Sequence, residues 1–218
     1  MKKHLLVIFF LLSLFLFLTF PKYADGSQAN RIDIDLFEKK LMLFTDNKLI
    51  KEYPIAIGSD LSPTPVGTYK ITEKEQAWGG GFGSRWLGLD VPWGVYGIHG
   101  TNKPYLIGEN ISSGCIRMQN KDVEELFELV SVGTIVQIEG PITGTAEGEY
   151  QNLVVGSKGN LVQLVQSRLK AMEIYDGDLN GIYGIKTEDA VKTFQKMNEL
   201  SVNGVVSFRE YLLLGLLE

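Results

Sequence analysis

The sequence predicts a mostly β domain, a β-sandwich or barrel with one helix, followed by a small all-α three-helix domain. Three observations point there: short apolar runs at period two between turn residues, a single helical repeat near residue 125, and a switch to helical spacing beyond Leu161. Ile32, Ile34 and Leu36 alternate as one strand, and Leu41-Met42-Leu43-Phe44 forms the next after the Glu38-Lys39-Lys40 turn. Asp46-Asn47 turns the chain into a stretch ending at Ile57-Gly58. Two prolines in Ser62-Pro63-Thr64-Pro65-Val66-Gly67 remove ladder donors and make that segment a loop, after which Thr68 to Ile71 returns to strand. Gly79-Gly80-Gly81-Phe82-Gly83 is a second loop, and Val95 to Ile98 is a short strand that delivers His99. Val123, Leu126, Phe127 and Val130 recur as one face of a helix over Lys121 to Val130, and Ile135 to Ile138 closes the domain.

The first domain thus runs over 30–139, and 140–156, with Pro141, Gly144 and Gly148, suits a linker. In 157–218, Leu161, Leu164, Val165, Arg168 and Leu169 mark a helix. Ala190, Val191, Phe194 and Met197 mark a second from about Thr187 to Asn198, and Ser207 to Leu217 a third. Residues 1–29 read as a signal peptide or membrane anchor: Met1-Lys2-Lys3, an apolar run from Leu5 to Phe20, then Pro21-Lys22. The run is longer than a usual signal core and shorter than a full span, so cleavage near Ser27-Gln28-Ala29 and retention against a membrane both fit. Either way the remainder is expected to work outside the cytoplasm, in the cell wall or on the outer face of the membrane.

With 218 residues, 44% hydrophobic and 22% charged, the chain can bury a core and is not disordered. A net charge of -5 without a Lys/Arg cluster excludes nucleic-acid binding, which requires phosphate neutralisation. Exported proteins usually pair their cysteines, but Cys115 is the only one, and His99 is the only histidine beyond His4. Each lies beside glycine, in Gly97-Ile98-His99-Gly100-Thr101 and Ser112-Ser113-Gly114-Cys115-Ile116-Arg117-Met118. A free thiol is only a few per cent thiolate at neutral pH, so a nucleophilic cysteine needs a base or a positive field. His99 supplies the first and Arg117 contributes to the second. Gly114 permits close backbone approach, and the N–H groups around Gly114 and Cys115 are candidates for binding an oxyanion. One His and one Cys offer no ligand-spaced metal cluster, and no cofactor is expected.

These residues resemble the YkuD-type L,D-transpeptidases over about 31–139, through Thr64-Pro65-Val66-Gly67, Tyr96 to Thr101 and Ser112 to Met118 in order. The resemblance implies that Cys115 attacks the carbonyl joining the third residue of a peptidoglycan stem peptide to terminal D-alanine, releasing D-alanine and leaving a thioester. The amine of a second stem's third residue then resolves the thioester into a cross-link. It also implies that His99 moves the protons, that the Gly100 carbonyl orients its imidazole, and that Arg117, with Ser112 and Ser113, contacts substrate. Many relatives carry a second histidine where this chain has Ser113. Water as acceptor would make the chain an L,D-carboxypeptidase, and an inactive barrel would make it a non-catalytic wall-binding protein.

Residues 157–217 resemble the peptidoglycan-binding domain-1 family through Leu161 to Leu169, Asp178-Leu179-Asn180-Gly181-Ile182-Tyr183-Gly184, Thr187, Phe194-Gln195 and Asn203-Gly204-Val205-Val206. That implies a module that holds the enzyme on the glycan polymer without supplying chemistry. Asp176, Asp178, Asn180 and Gly181 also match the opening positions of a calcium loop, but Thr187 stands where its bidentate Glu belongs.

Overall fold

Alternation of apolar and polar residues builds the first half of the structure, a computed structural model that describes residues 29–76, 79–142 and 150–217. The N-terminal apolar run, Trp78 and the middle of the 140–156 segment lie outside the described residues. Strand β1 (Arg31–Asp35) buries Ile32 and Ile34 and leaves Arg31, Asp33 and Asp35 half-exposed. It pairs antiparallel with β2 (Lys40–Thr45) and parallel with the last strand, β10 (Ile135–Glu139). Asp46 and Asn47 take positive φ values of 49° and 63°, the backbone of a tight hairpin, and lead into β3 (Lys48–Pro54). Only Tyr53 of β3 is buried, and lysines stud this outer strand in the manner that discourages edge pairing.

On the other side β10 meets β5 (Gly67–Gln76), followed by β6 (Arg85–Leu89), β7 (Tyr96–His99) and β9 (Ile116–Arg117), so one eight-stranded sheet runs β3-β2-β1-β10-β5-β6-β7-β9. Two short strands, β4 (Ile57–Gly58) and β8 (Asn110–Ser112), pair separately. Ala56, just past β3, bridges Arg117 on β9, which ties the two edges of the large sheet together. The mostly β class is as expected, realised as a half-barrel. Strand β6 has no alternating signal because it is buried on nearly every residue, lying between two strands and under helix α1 (Asn120–Leu129). Lys74 on β5 donates to the Phe127 and Val130 carbonyls at 2.5 and 2.7 Å, a cation set on the C-terminal end of α1.

The second half has its own core around Val162, Val165, Phe194 and Tyr211. Helices α2 (Asn160–Ala171), α3 (Ile185–Met197) and α4 (Phe208–Leu213) carry it. The last helix is shorter than its apolar pattern suggests, because Gly215 takes φ 65° and ends it. Tyr150 and Leu153 also join this core, so the end of the 140–156 segment packs on the helices.

Two fully buried glutamines hold the turns between helices in the same way. Gln166 accepts from Gly181 N (2.9 Å) and donates to Thr187 Oγ1 and the Ile182 carbonyl. Gln195 accepts from Asn203 N and Gly204 N (3.0 and 2.9 Å) and donates to Glu210 and the Val205 carbonyl. Asn180 and Thr187, two positions of the calcium-loop reading, are thereby turned inward, and Asp176 pairs with Lys186 at 3.3 Å.

Replacing Gln195 with Ala strands several buried backbone groups at once. The expected loss is roughly 2–4 kcal/mol, read by urea denaturation with circular dichroism; a loss under about 1 kcal/mol would contradict this role.

Candidate active site

The parallel pairing of β7 with β9 sets His99 opposite Arg117 and Ile98 opposite Ile116. Both isoleucines are fully buried, so the alternate positions, Gly97, His99, Cys115 and Arg117, share the other face. Cys115 sits immediately before β9 and faces Gly97 across the pair. A Cβ on Gly97 would lie 2.7 Å from the Trp86 ring and from the Leu87 carbonyl, so only glycine fits beneath the thiol. Cys115, His99, Arg117, Trp86, Phe82 and Ser113 line one cavity of about 330 Å³.

His99 is 2% exposed, stacked on Trp86 (25° between ring planes) and edge-on to Phe82. Its Nδ1–H donates to the Gly100 carbonyl at 2.6 Å, which leaves Nε2 as the basic nitrogen. Burial pulls the imidazole down to a pKa of about 4; the Gly100 carbonyl opposes that, Arg117 adds to it, and the Phe82 carbonyl opposes it. Burial pushes the Cys115 thiol up, while the Gly97 N–H and Arg117 favour the thiolate. At rest both groups are therefore neutral. Among the described residues Arg117 forms no salt bridge, and its Nε is buried without a hydrogen-bond partner. A plain ion-pair role for Arg117 finds no support.

Two of the expected site residues bond to each other in the turn before Cys115. Gly114 N–H, a candidate oxyanion donor, instead donates to Ser112 Oγ at 3.0 Å, and Ser112 Oγ donates to the Cys115 carbonyl at 2.6 Å. The buried Ser112 hydroxyl thus knits the turn before the cysteine. Gly114 takes φ 105° there, with no room for a Cβ against Tyr96. Ser113 is exposed at the rim.

Asn120, one residue before the helix expected over 121–130, is the first residue of α1 and braces the other loop. Its Oδ1 accepts from Thr101 N at 3.1 Å and from Ser84 N at 3.3 Å, fixing the turn that carries the Gly100 carbonyl. Its position directly after the Ser112 to Met118 segment, at the start of α1, is the signal that marks it. Trp86 and Phe82, the ring contacts of His99, had none beyond being aromatic.

A second cavity, about 320 Å³, opens on the other side of Ser113, between the β half and the helical module. Asn160 at the start of α2 is 8% exposed and clamps the two halves: its Oδ1 accepts from Val66 N and its Nδ2 donates to the Thr64 carbonyl. A Cβ on Gly181 would lie 2.5 Å from the Trp93 ring, which measures how closely the halves pack.

Residues 29–138 match the L,D-transpeptidase catalytic domain (YkuD) family model, and residues 158–210 match a peptidoglycan-binding domain model. The chain is 47% identical over 107 residues to a Bacillus subtilis protein named as an L,D-transpeptidase, YkuD, a match covering 49% of this chain and 64% of that relative's length. It is 34% identical over 149 residues to Bacillus subtilis YqjB, similarly named, covering 60% of this chain and 84% of the relative. Among solved structures, the catalytic domain of the Enterococcus faecium L,D-transpeptidase is 26% identical, with a TM-score of 0.45 over 51% of this chain and 98% of that one.

The His99 imidazole should titrate near pH 4 by NMR, since burial is the largest influence on it. A midpoint near the ordinary 6.5 would show a solvated ring and contradict the geometry.

Proposed function

We propose, from the premise that this chain belongs to the L,D-transpeptidase family, that it is an exported cysteine acyltransferase that cross-links peptidoglycan stem peptides. The observation that carries this reading is the shared face of Cys115, His99 and Arg117 on β7 and β9, opening into one cavity.

His99 Nε2 takes the Sγ proton as Sγ attacks the carbonyl before the terminal D-alanine. The Cys115 N–H and the Arg117 guanidinium are the donors offered to the oxyanion. When the intermediate collapses the C–N bond breaks, His99 hands its proton to the departing amine of D-alanine, and a thioester remains on Cys115. The amine of a second stem then attacks: a C–N bond forms, the C–S bond breaks, and His99 carries the amine proton to the sulfur. The enzyme is restored with no net change in protons. Ser113 cannot titrate near neutral pH, so His99 serves as the single base. The helical module, matched by the peptidoglycan-binding model, would hold the enzyme on its polymer.

Product analysis by mass spectrometry of soluble tetrapeptide stems separates the acceptors: cross-linked dimers support transpeptidation, and tripeptide alone would point to water.

Cys115→Ser should leave less than about a tenth of the activity, because a serine hydroxyl is a far weaker nucleophile with the same partners. His99→Ala should slow acylation of Cys115 by a penem about a hundredfold or more, and Ser113→Ala less than about tenfold, as followed by mass spectrometry. Equal large losses in the last two would contradict a single base.

A neutral base is required for attack, and the lowered His99 pKa keeps it neutral down to acid conditions. Penem acylation should therefore not lose its base until pH falls toward about 4. A fall centred near pH 6.5 would contradict the buried, neutral imidazole.

A further inference from the structure

We propose that the cavity between the β half and the helical module is the acceptor arm of the site, binding the amine-bearing stem peptide, and that the module forms one of its walls. The proposal rests on the transpeptidase reading above and adds a role for the module beyond holding the polymer.

Position is the first argument. Ser113 lines both this cavity and the one that holds Cys115 and His99, so the thioester carbon would be reached from two directions on either side of one exposed residue. A donor acyl group filling the Cys115 cavity leaves the second approach to the attacking amine. Tyr96 lies beneath this boundary, packed so closely on Gly114 that a Cβ there would be 2.6 Å from its ring.

Rigidity is the second. The wall contributed by the module is not carried on a loose tether: Asn160 is hydrogen-bonded to the Thr64-to-Val66 loop, and Ile182 packs against the core of the β half. Thr64 in turn holds Gly58 N through its hydroxyl at 2.8 Å, so the loop gripped by the module is itself fixed.

Chemistry is the third. The β side offers Asp60 and the module offers Lys158, with the neutral amides of Gln151 and Asn152 beside it. Trp93, the tryptophan of this cavity, is 9% exposed and presents no broad face on which a sugar ring could stack. One carboxylate, one ammonium and several amides suit a peptide end that carries both an amine and a carboxylate. The reaction needs such a peptide: its amine nitrogen forms the new amide bond as the C–S bond to Cys115 breaks.

The test compares the full chain with Lys158→Glu in the module and Asn152→Trp in the segment leading into it, both at exposed positions. The donor is a soluble tetrapeptide ending in D-alanine. The acceptor, at graded concentration, is a soluble tripeptide whose third residue has a side-chain amine and carboxylate. Penem acylation of Cys115 is measured alongside. The expected result is an acceptor KM raised about tenfold or more with penem acylation unchanged. An unchanged acceptor KM in both variants would overturn the proposal, as would an equal slowing of acylation, which would assign the cavity to the donor. Chemical-shift changes at Lys158 and Asn152 caused by a peptide-free glycan oligosaccharide but not by the tripeptide would overturn it as well. Failure of the underlying transpeptidase reading would look different: the unaltered chain would release no D-alanine.

Discussion

The register between β7 and β9 is the constraint on which the site depends. Setting His99 opposite Arg117 fixes which face Cys115 adopts, because successive side chains alternate. A slip by one residue would exchange Ile116 for Cys115 and bury the thiol in the core. The register is held from both sides: Met118 N donates to the His99 carbonyl at 2.8 Å, and Arg117 exchanges two backbone hydrogen bonds with Ala56, each 2.8 Å. The second contact also closes the large sheet, so the fold and the site share one set of hydrogen bonds.

Electrostatics then determines the resting state. Burial disfavours charge on both partners, so the proton stays on Cys115 until attack draws it to His99. A neutral thiol is also less readily oxidised than a standing thiolate. Arg117 acts on both partners: it disfavours the imidazolium and favours negative charge on sulfur.

Much of this was legible in the sequence. Period-two apolar residues located β1, β2 and β10, and the glycine-flanked His99 and Cys115 marked two residues that the structure brings into one cavity. Strand β6 was not legible because continuous burial erases alternation, and β8 and β9 are too short to show any. The turn contacts of Ser112 were not legible, because a hydroxyl beside a cysteine looks the same in sequence whether it faces outward or its own turn. Its hydroxyl donates to the Cys115 carbonyl and accepts from Gly114 N. The clamp by Asn160 was also hidden, since its partners at Thr64 and Val66 lie 96 and 94 residues away. Separate motifs in the two halves gave no sign that the halves meet beside Ser113.

The central claim is that Cys115 carries an acyl group from a peptide ending in D-alanine. Intact-protein mass spectrometry after rapid mixing of the full chain with a soluble D-alanine-terminated tetrapeptide tests it most directly. The account predicts an adduct equal in mass to the donor less D-alanine, mapped by proteolysis to Cys115 and abolished in His99→Ala on the same timescale. Release of D-alanine with the adduct on another residue, or with none at any time point, would contradict it.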